Sequence, residues 1–231
     1  MAITNSPLAK GLPPTTRAYH EVQLAFDFFK AELFNDQLPP CLITFQRRGS
    51  STLGYFAANR YTEADGTAID EIALNPRFFQ SASFDEVMSV LAHEMVHAWQ
   101  QHFGRKRPRS GYHDKEWAGE ALRVGLRPVA PDGKMTGQSM SHTIVPGGRF
   151  ALAVDKLRTM LPGLTWRDTA AAHLMPKGLA GSDLMQRPGL SGRRTVYRCP
   201  NKECGDRAEG KSTLFLICGK CNLRMERHGL R

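Results

Sequence analysis

Residues 93–97 read His-Glu-Met-Val-His. On a helix, positions four apart share a face, with Cβ atoms about 5–6 Å apart. Two imidazoles placed that way can reach one ion through Zn–N bonds of about 2.0–2.1 Å. Glu94 lies beside that face and can take the proton of a water attacking a peptide carbonyl. A single carboxylate suffices as general base because zinc polarises the carbonyl and lowers the pKa of the water. The pattern predicts a zinc-dependent enzyme that hydrolyses peptide bonds. The blander reading is two surface histidines on an ordinary helix. The flanks argue against it: Ser83 and Glu86 have capping-box spacing, and Phe84, Val87, Met88, Leu91, Met95 and Trp99 supply an apolar side.

A catalytic zinc needs a third protein ligand and an open fourth position. His102 is nine residues beyond His93, which at about 100° per residue points it to the opposite side of a continuous helix. Gln100 and Phe103 stand where a metzincin pattern has its glycine and third histidine. His102 therefore reads as a surface residue. His113 opens the next helical segment and is favoured, with Glu116 and Glu120 on that helix as the alternatives. His20, His142, His173 and His228 have no partner at ligand spacing and read as polar surface or local hydrogen-bonding residues.

Four of the five cysteines form two close pairs near the end of the chain, Cys199-x4-Cys204 and Cys218-x2-Cys221. These spacings suit a four-cysteine zinc ribbon. So short a unit buries too little apolar surface to fold alone, and zinc would supply the missing free energy. Cys41 stands apart and reads as a small buried hydrophobe.

The elements that must position these residues follow from periodicity. Residues 19–33 carry Val22, Ala25, Phe26, Phe29 and Leu33 at helical spacing, and Pro39-Pro40 bars continuation. Strands are expected at 41–46, 53–57 and 69–74, in a small antiparallel meander punctuated by Gly49-Ser50 and Asp65-Gly66. The active-site helix runs from Ser83 to about Gly104, and a second from His113 to Gly125. A further helix is expected at 150–161, and ribbon strands at 213–217 and 223–227. The expected organisation is a flexible N-terminus (1–18), a peptidase domain (19–134), a connector (135–194) and a ribbon (195–231). The fold class is α+β, with helices on a small antiparallel sheet and a C-terminal zinc ribbon.

At this point the residues resemble a family. "LAHEMVHAWQ" (91–100), a short basic connection and "GYHDKEWAGEALRVGL" (111–126) are similar to the SprT/Spartan zinc metallopeptidases. "FDFFKAELFNDQLPPCLITF", "LGYF" and "EIALNPRFF" resemble that family's first helix and the strands before its active-site helix. The resemblance implies a minimal zincin with substrate along the sheet edge, zinc ligands His93, His97 and His113, and Glu94 as general base. It also implies action on DNA-associated or DNA-crosslinked proteins. "TGQSMSHTIVPGGRF" (136–150) resembles a segment of SprT-like proteins from bacterial mobile elements, without suggesting a role.

The net charge of +9 fits a polyanionic partner. From residue 193 onward there are ten Lys/Arg against four Asp/Glu. Arg193, Arg194, Arg198 and Tyr197 there, with the loop residues Arg105, Lys106 and Arg107, are the candidate DNA contacts. The loop run could equally be a solvated face, and Phe215 reads as the ribbon's own core. The expected cofactors are one catalytic and one structural Zn2+, and the expected partners are protein substrates and DNA. No apolar run reaches membrane-span length and the first residues lack a signal-peptide core, so a cytoplasmic location is expected, at the nucleoid when DNA is bound. Two other readings remain: a regulatory peptidase that cuts one protein such as a repressor, and a non-catalytic DNA-binding zinc protein.

Overall fold

The computed structural model describes residues 11–47, 52–109, 111–130, 132–138, 140–168, 195–210 and 215–230. The chain divides into two compact units, Met1–Gln186 and Arg187–Arg231.

The first unit is a mixed α and β structure. Helix α1 (Pro14–Phe34) starts with proline in its first turn, where no amide hydrogen is needed, and so begins earlier than residue 19. It buries Val22, Ala25, Phe26, Phe29 and Leu33, then stops at Asn35 in the left-handed conformation. Strands β1 (Cys41–Phe45), β2 (Gly54–Thr62) and β3 (Ala68–Leu74) form one sheet in the order β1-β3-β2. β2 and β3 are antiparallel, but β1 runs parallel to β3. The meander expected from turn signals is therefore replaced by a mixed sheet. Burial explains the order: the end of β3 (Ile72, Ala73, Leu74) is wholly buried and takes the centre, while the later residues of β2 are exposed and take an edge.

A short 3-10 turn (Pro76–Phe78) leads into α2 (Phe84–Phe103). Its capping box is formed: Ser83 accepts from the Glu86 amide at 3.3 Å, and Glu86 accepts from the Ser83 amide at 2.6 Å. Helix α3 (Lys115–Val124) ends at Gly125, whose φ of 96° is the left-handed stop expected there. The chain then forms a two-stranded antiparallel sheet, β4 (Leu126–Val129) with β5 (Ser141–Ile144), and helix α4 (Arg149–Met160).

Phe150, Ala153, Val154 and Leu157 of α4 are buried in the same core as α1, α2 and α3, and Trp166 packs against it. Residues 135–168, expected as the first part of a connector, are thus integral to this unit. Glu21, buried in α1, accepts from the Thr165 amide at 3.0 Å and from its hydroxyl, which fixes the chain beyond α4.

The terminal unit has three antiparallel strands in the order β7-β6-β8: β6 (Thr195–Arg198), β7 (Arg207–Gly210) and β8 (Glu226–Leu230). Its core is small, made of Tyr197, Cys218 and Met225 with the other three paired cysteines, Ala208 and Leu216 around them. Ile217 makes a lone bridge to Arg224, and the first residues of the strand expected at 213–217 lie outside the described residues.

Candidate metal centre

Helix α2 is buried over most of its length, so a polar stripe along it needs a reason. Ser89, His93, His97 and Gln100 form that stripe, with spacings of four, four and three residues. His113, just before α3, faces it. Its Nε2 lies 3.1 Å from His93 Nε2 and 3.0 Å from His97 Nε2. Four-coordinate zinc with bonds of about 2.0–2.1 Å holds ligand nitrogens about 3.3 Å apart, so the three imidazoles are spaced for one ion.

Their protonation fits as well. His113 Nδ1 lies 3.2 Å from the Gly137 carbonyl, which can only accept, so Nδ1 carries the hydrogen and Nε2 is a bare lone pair. Burial pushes His93 well below the usual histidine value, with the neighbouring histidines adding to the effect. Burial likewise takes His97 down to about 3 and lowers His113. All three are held neutral, as ligation requires.

Trp117, one turn after His113, is wholly buried and forms the floor. Its ring lies 4.7, 5.2 and 4.3 Å from the rings of His93, His97 and His113. Gln100 donates to Asp114 Oδ1 at 2.8 Å, and that oxygen caps α3 by accepting from the amides of Glu116 and Trp117. The end of α2 is thereby tied to the residue after His113.

Glu94 is buried beside the histidines. Burial pushes its carboxyl up to about 8, partly offset by a hydrogen bond from the Phe56 amide of β2. A divalent cation at the histidines would favour the charged carboxylate again. Gly54 makes this approach of β2 possible. A Cβ there would sit 2.9 Å from the Ala73 carbonyl oxygen, 2.9 Å from Val90 Cγ1 and 3.3 Å from Glu94 Cγ.

The other residues weighed as ligands lie elsewhere. The carboxylate of Glu116 accepts from the Arg105 amide at 2.9 Å, and that of Glu120 accepts from the guanidinium of Arg123. His102 is at the surface, 2.6 Å from Asp70. His142, read from sequence as ordinary, is buried with its Nδ1 3.0 Å from His93 Nδ1. Gln100, Trp117 and Ser89 were legible in principle, since each stands one or two helical turns from a histidine of the site. His142 lay 49 residues from its partner with no periodicity to betray it.

In the terminal unit the ligand atoms of Cys199, Cys204, Cys218 and Cys221 lie within 4.8 Å of one another. Cys204 Sγ and Cys218 Sγ are 3.6 Å apart, too far for a disulfide and close to the roughly 3.8 Å expected of two thiolates on one zinc. The amides of Cys221 and Lys220 point at Cys218 and lower its thiol from the usual value, which suits a metal-bound thiolate.

Of the candidate DNA contacts, Arg105, Lys106, Arg107 and Arg198 are exposed. Arg193 and Arg194 lie outside the described residues. Tyr197 requires correction. Its ring is in the core of the terminal unit, 1% exposed, and cannot stack on a base. Phe215 takes the opposite position from that expected: it is 64% exposed, with the Arg224 guanidinium 4.6 Å from its ring centre. The strand alternation of β6 turns Tyr197 inward, whereas Phe215 lies outside any strand.

The sequence model of the SprT-like family matches residues 22–134, a span that includes α1, the three-stranded sheet, α2 and α3. An uncharacterised protein of the mucB 3′ region of Salmonella typhimurium is 47% identical over 60 residues, 26% of this chain and 80% of that protein. The chain belongs to the SprT-like family. The matched span includes the two histidines of α2 and His113, and it stops short of Gly137 and His142. A SprT-like domain, consistent with a metallopeptidase-like fold, is therefore carried here together with two groups of side chains that could hold a metal ion.

Proposed function

We propose that this protein is a zinc-dependent endopeptidase that acts on DNA-associated or DNA-crosslinked proteins. The observation that carries the peptidase reading is the convergence of His93, His97 and His113 Nε2 atoms beside the buried carboxylate of Glu94. His93, His97 and His113 would hold the ion. Zinc, when bound, polarises a carbonyl and makes water acidic enough to attack it at neutral pH. Glu94 accepts the proton of the attacking water and delivers it to the leaving amine. Among the described residues the outer edge of β2 has no partner strand, so an extended peptide can lie along it by adding a strand. The Phe56 amide, which holds Glu94, keeps the general base next to that edge.

The four cysteines would hold a second, structural zinc. The basic balance of the chain and the exposed Arg105, Lys106, Arg107 and Arg198 support a nucleic-acid partner. The exposed ring of Phe215 in the terminal unit offers an aromatic face for stacking.

The test is cleavage by zinc-loaded protein and its Glu94→Gln variant. The substrate is a DNA-binding protein, free or crosslinked to DNA, with and without added single-stranded DNA. Cleavage by wild type alone, and dependent on DNA, is expected. Glu94-dependent cleavage indifferent to DNA would keep the peptidase and remove the DNA role, leaving a regulatory enzyme. Cleavage retained in Glu94→Gln would remove Glu94 from the mechanism.

A further inference from the structure

His142 and Ser89 lie outside the machinery assigned above, yet they touch it through a chain of hydrogen bonds whose direction can be worked out. Ser89 Oγ is 2.9 Å from the Glu86 carbonyl, which can only accept, so the single hydroxyl hydrogen goes there. Ser89 Oγ must then accept in its other contact, 2.9 Å from His142 Nε2. His142 is therefore protonated on Nε2 and bare on Nδ1. Its Nδ1 is 3.0 Å from His93 Nδ1, so His93 must donate there. That leaves His93 Nε2 as the bare lone pair, and it is the nitrogen 3.1 Å from His113 Nε2. All groups in this chain, His93, His142 and Ser89, are buried, where hydrogen bonds are electrostatically stronger than in water.

The same hairpin serves a second ligand. Gly137, in the β4–β5 connection, takes the Nδ1 hydrogen of His113 and also exchanges two backbone bonds with it, at 2.8 and 2.9 Å. Two of the three convergent imidazoles thus have their tautomer set by Gly137 and His142, beyond the span matched by the family.

We infer that Ser89 and His142 form a positioning relay that locks His93 in the tautomer able to bind a divalent metal ion through Nε2, and that the β4–β5 hairpin is an outer wall of the metal site. The inference rests on the reading of His93, His97 and His113 as metal ligands. A carbonyl or carboxylate would be the commoner partner for a ligand histidine. Here a second imidazole takes that place, and it can do so only because Ser89 fixes which of its nitrogens is bare. His142 and Ser89 also edge a cavity of about 190 Å³ whose other walls include Leu53, Val87, Val90 and Ile144. A leucine at position 142 has space to pack there, and the cysteine site and circular dichroism control for any effect on folding.

The experiment titrates the full-length metal-free chain with cobalt(II), then competes zinc against a chromophoric chelator. Wild type is compared with His142→Leu, His142→Gln and Ser89→Ala. Sulfur-to-cobalt charge transfer reports the cysteine site, and ligand-field bands without it report the histidine site. His142→Leu is expected to weaken zinc at the histidine site about 10–100-fold, with the cysteine site and the circular dichroism unchanged. His142→Gln should recover most of the loss, since its carbonyl can accept from His93 while its amide donates to Ser89. Equal affinity in wild type and His142→Leu would overturn the relay and leave the metal reading standing. No metal at the histidine site of wild type would overturn both. Ring-nitrogen NMR of the metal-free wild type and Ser89→Ala gives an arm independent of folding at position 142. Wild type should show His93 protonated on Nδ1 and His142 on Nε2, and Ser89→Ala should mix the His142 tautomers. His93 found protonated on Nε2 in wild type would overturn the relay.

Discussion

Glu94 occupies a place where charge is costly. Burial pushes its carboxyl up to about 8, and its one backbone donor, the Phe56 amide, offsets that only in part. Without a cation it rests as the neutral acid, which a glutamine amide imitates closely in size and polarity. Glu94→Gln should therefore fold and take up metal like wild type, while losing the ability to accept a proton. Peptide cleavage is expected to fall by at least about 10²-fold, the lower end of what a general base contributes. Steady-state cleavage rates normalised to bound zinc check this, and a loss of less than about tenfold would mean another group moves the proton. Asp114 is a second residue whose role is separable. Its carboxylate caps α3 and accepts from Gln100, so Asp114→Ala should cost about 1 kcal/mol and loosen His113 against its partners. Chemical denaturation measures the first effect and zinc competition the second. A variant that loses stability but holds zinc unchanged would confine Asp114 to capping.

The elements meet tightly where β2 passes between β3 and α2. At Gly54 a Cβ would be 2.9 Å from the Ala73 oxygen of β3 and 2.9 Å from Val90 Cγ1 of α2. Gly54→Ala must force the strand outward. The expected cost is about 1–3 kcal/mol, by analogy with overpacked cores, or a drop in Tm of about 2–10 °C. Because the same strand supplies the Phe56 amide to Glu94, cleavage should fall with it, and a variant of wild-type Tm and wild-type activity would show that β2 gives freely. Helices α2, α3 and α4 were readable in the sequence because caps and apolar periodicity agree locally: Ser83 with Glu86, Gly125 after Val124, and Phe150 with Ala153, Val154 and Leu157. The pair β4 and β5 was not. Arg127, Pro128, Ser141 and His142 carry little strand propensity, and their pairing is fixed by the core they close rather than by their own composition. The parallel placement of β1 was hidden for a related reason, since turn signals report which strands are consecutive and not which one is most deeply buried. At the site, the two histidines of α2 were legible as a local pattern, and His113 by its place at the head of the next helix. His142 was not, because only the fold brings it to His93.

The two units differ in what holds them together, and that difference has a measurable consequence. The first unit has an extensive apolar core drawn from four helices and the sheet. It should stay folded when metal is removed. Among the described residues the terminal unit's buried apolar side chains are Tyr197, Cys218 and Met225, with Cys199, Cys204 and Cys221 packed around them. So small a core cannot offset the entropy of ordering its strands, and zinc bound to the thiolates would have to do so. The fifth cysteine serves as an internal control. Cys41 is 7% exposed in β1, and burial pushes its thiol up to about 12, so it is neither accessible nor ionised at pH 8. Metal-loaded native protein is therefore expected to resist a thiol reagent at all five cysteines. A strong chelator should make Cys199, Cys204, Cys218 and Cys221 react together while helical circular dichroism is largely retained. Cys41 should follow only in denaturant. Mass spectrometry of the labelled chain counts the adducts. Free reaction of the four before chelation would deny them a metal, and reaction of Cys41 alongside them would mean that loss of metal unfolds the first unit as well.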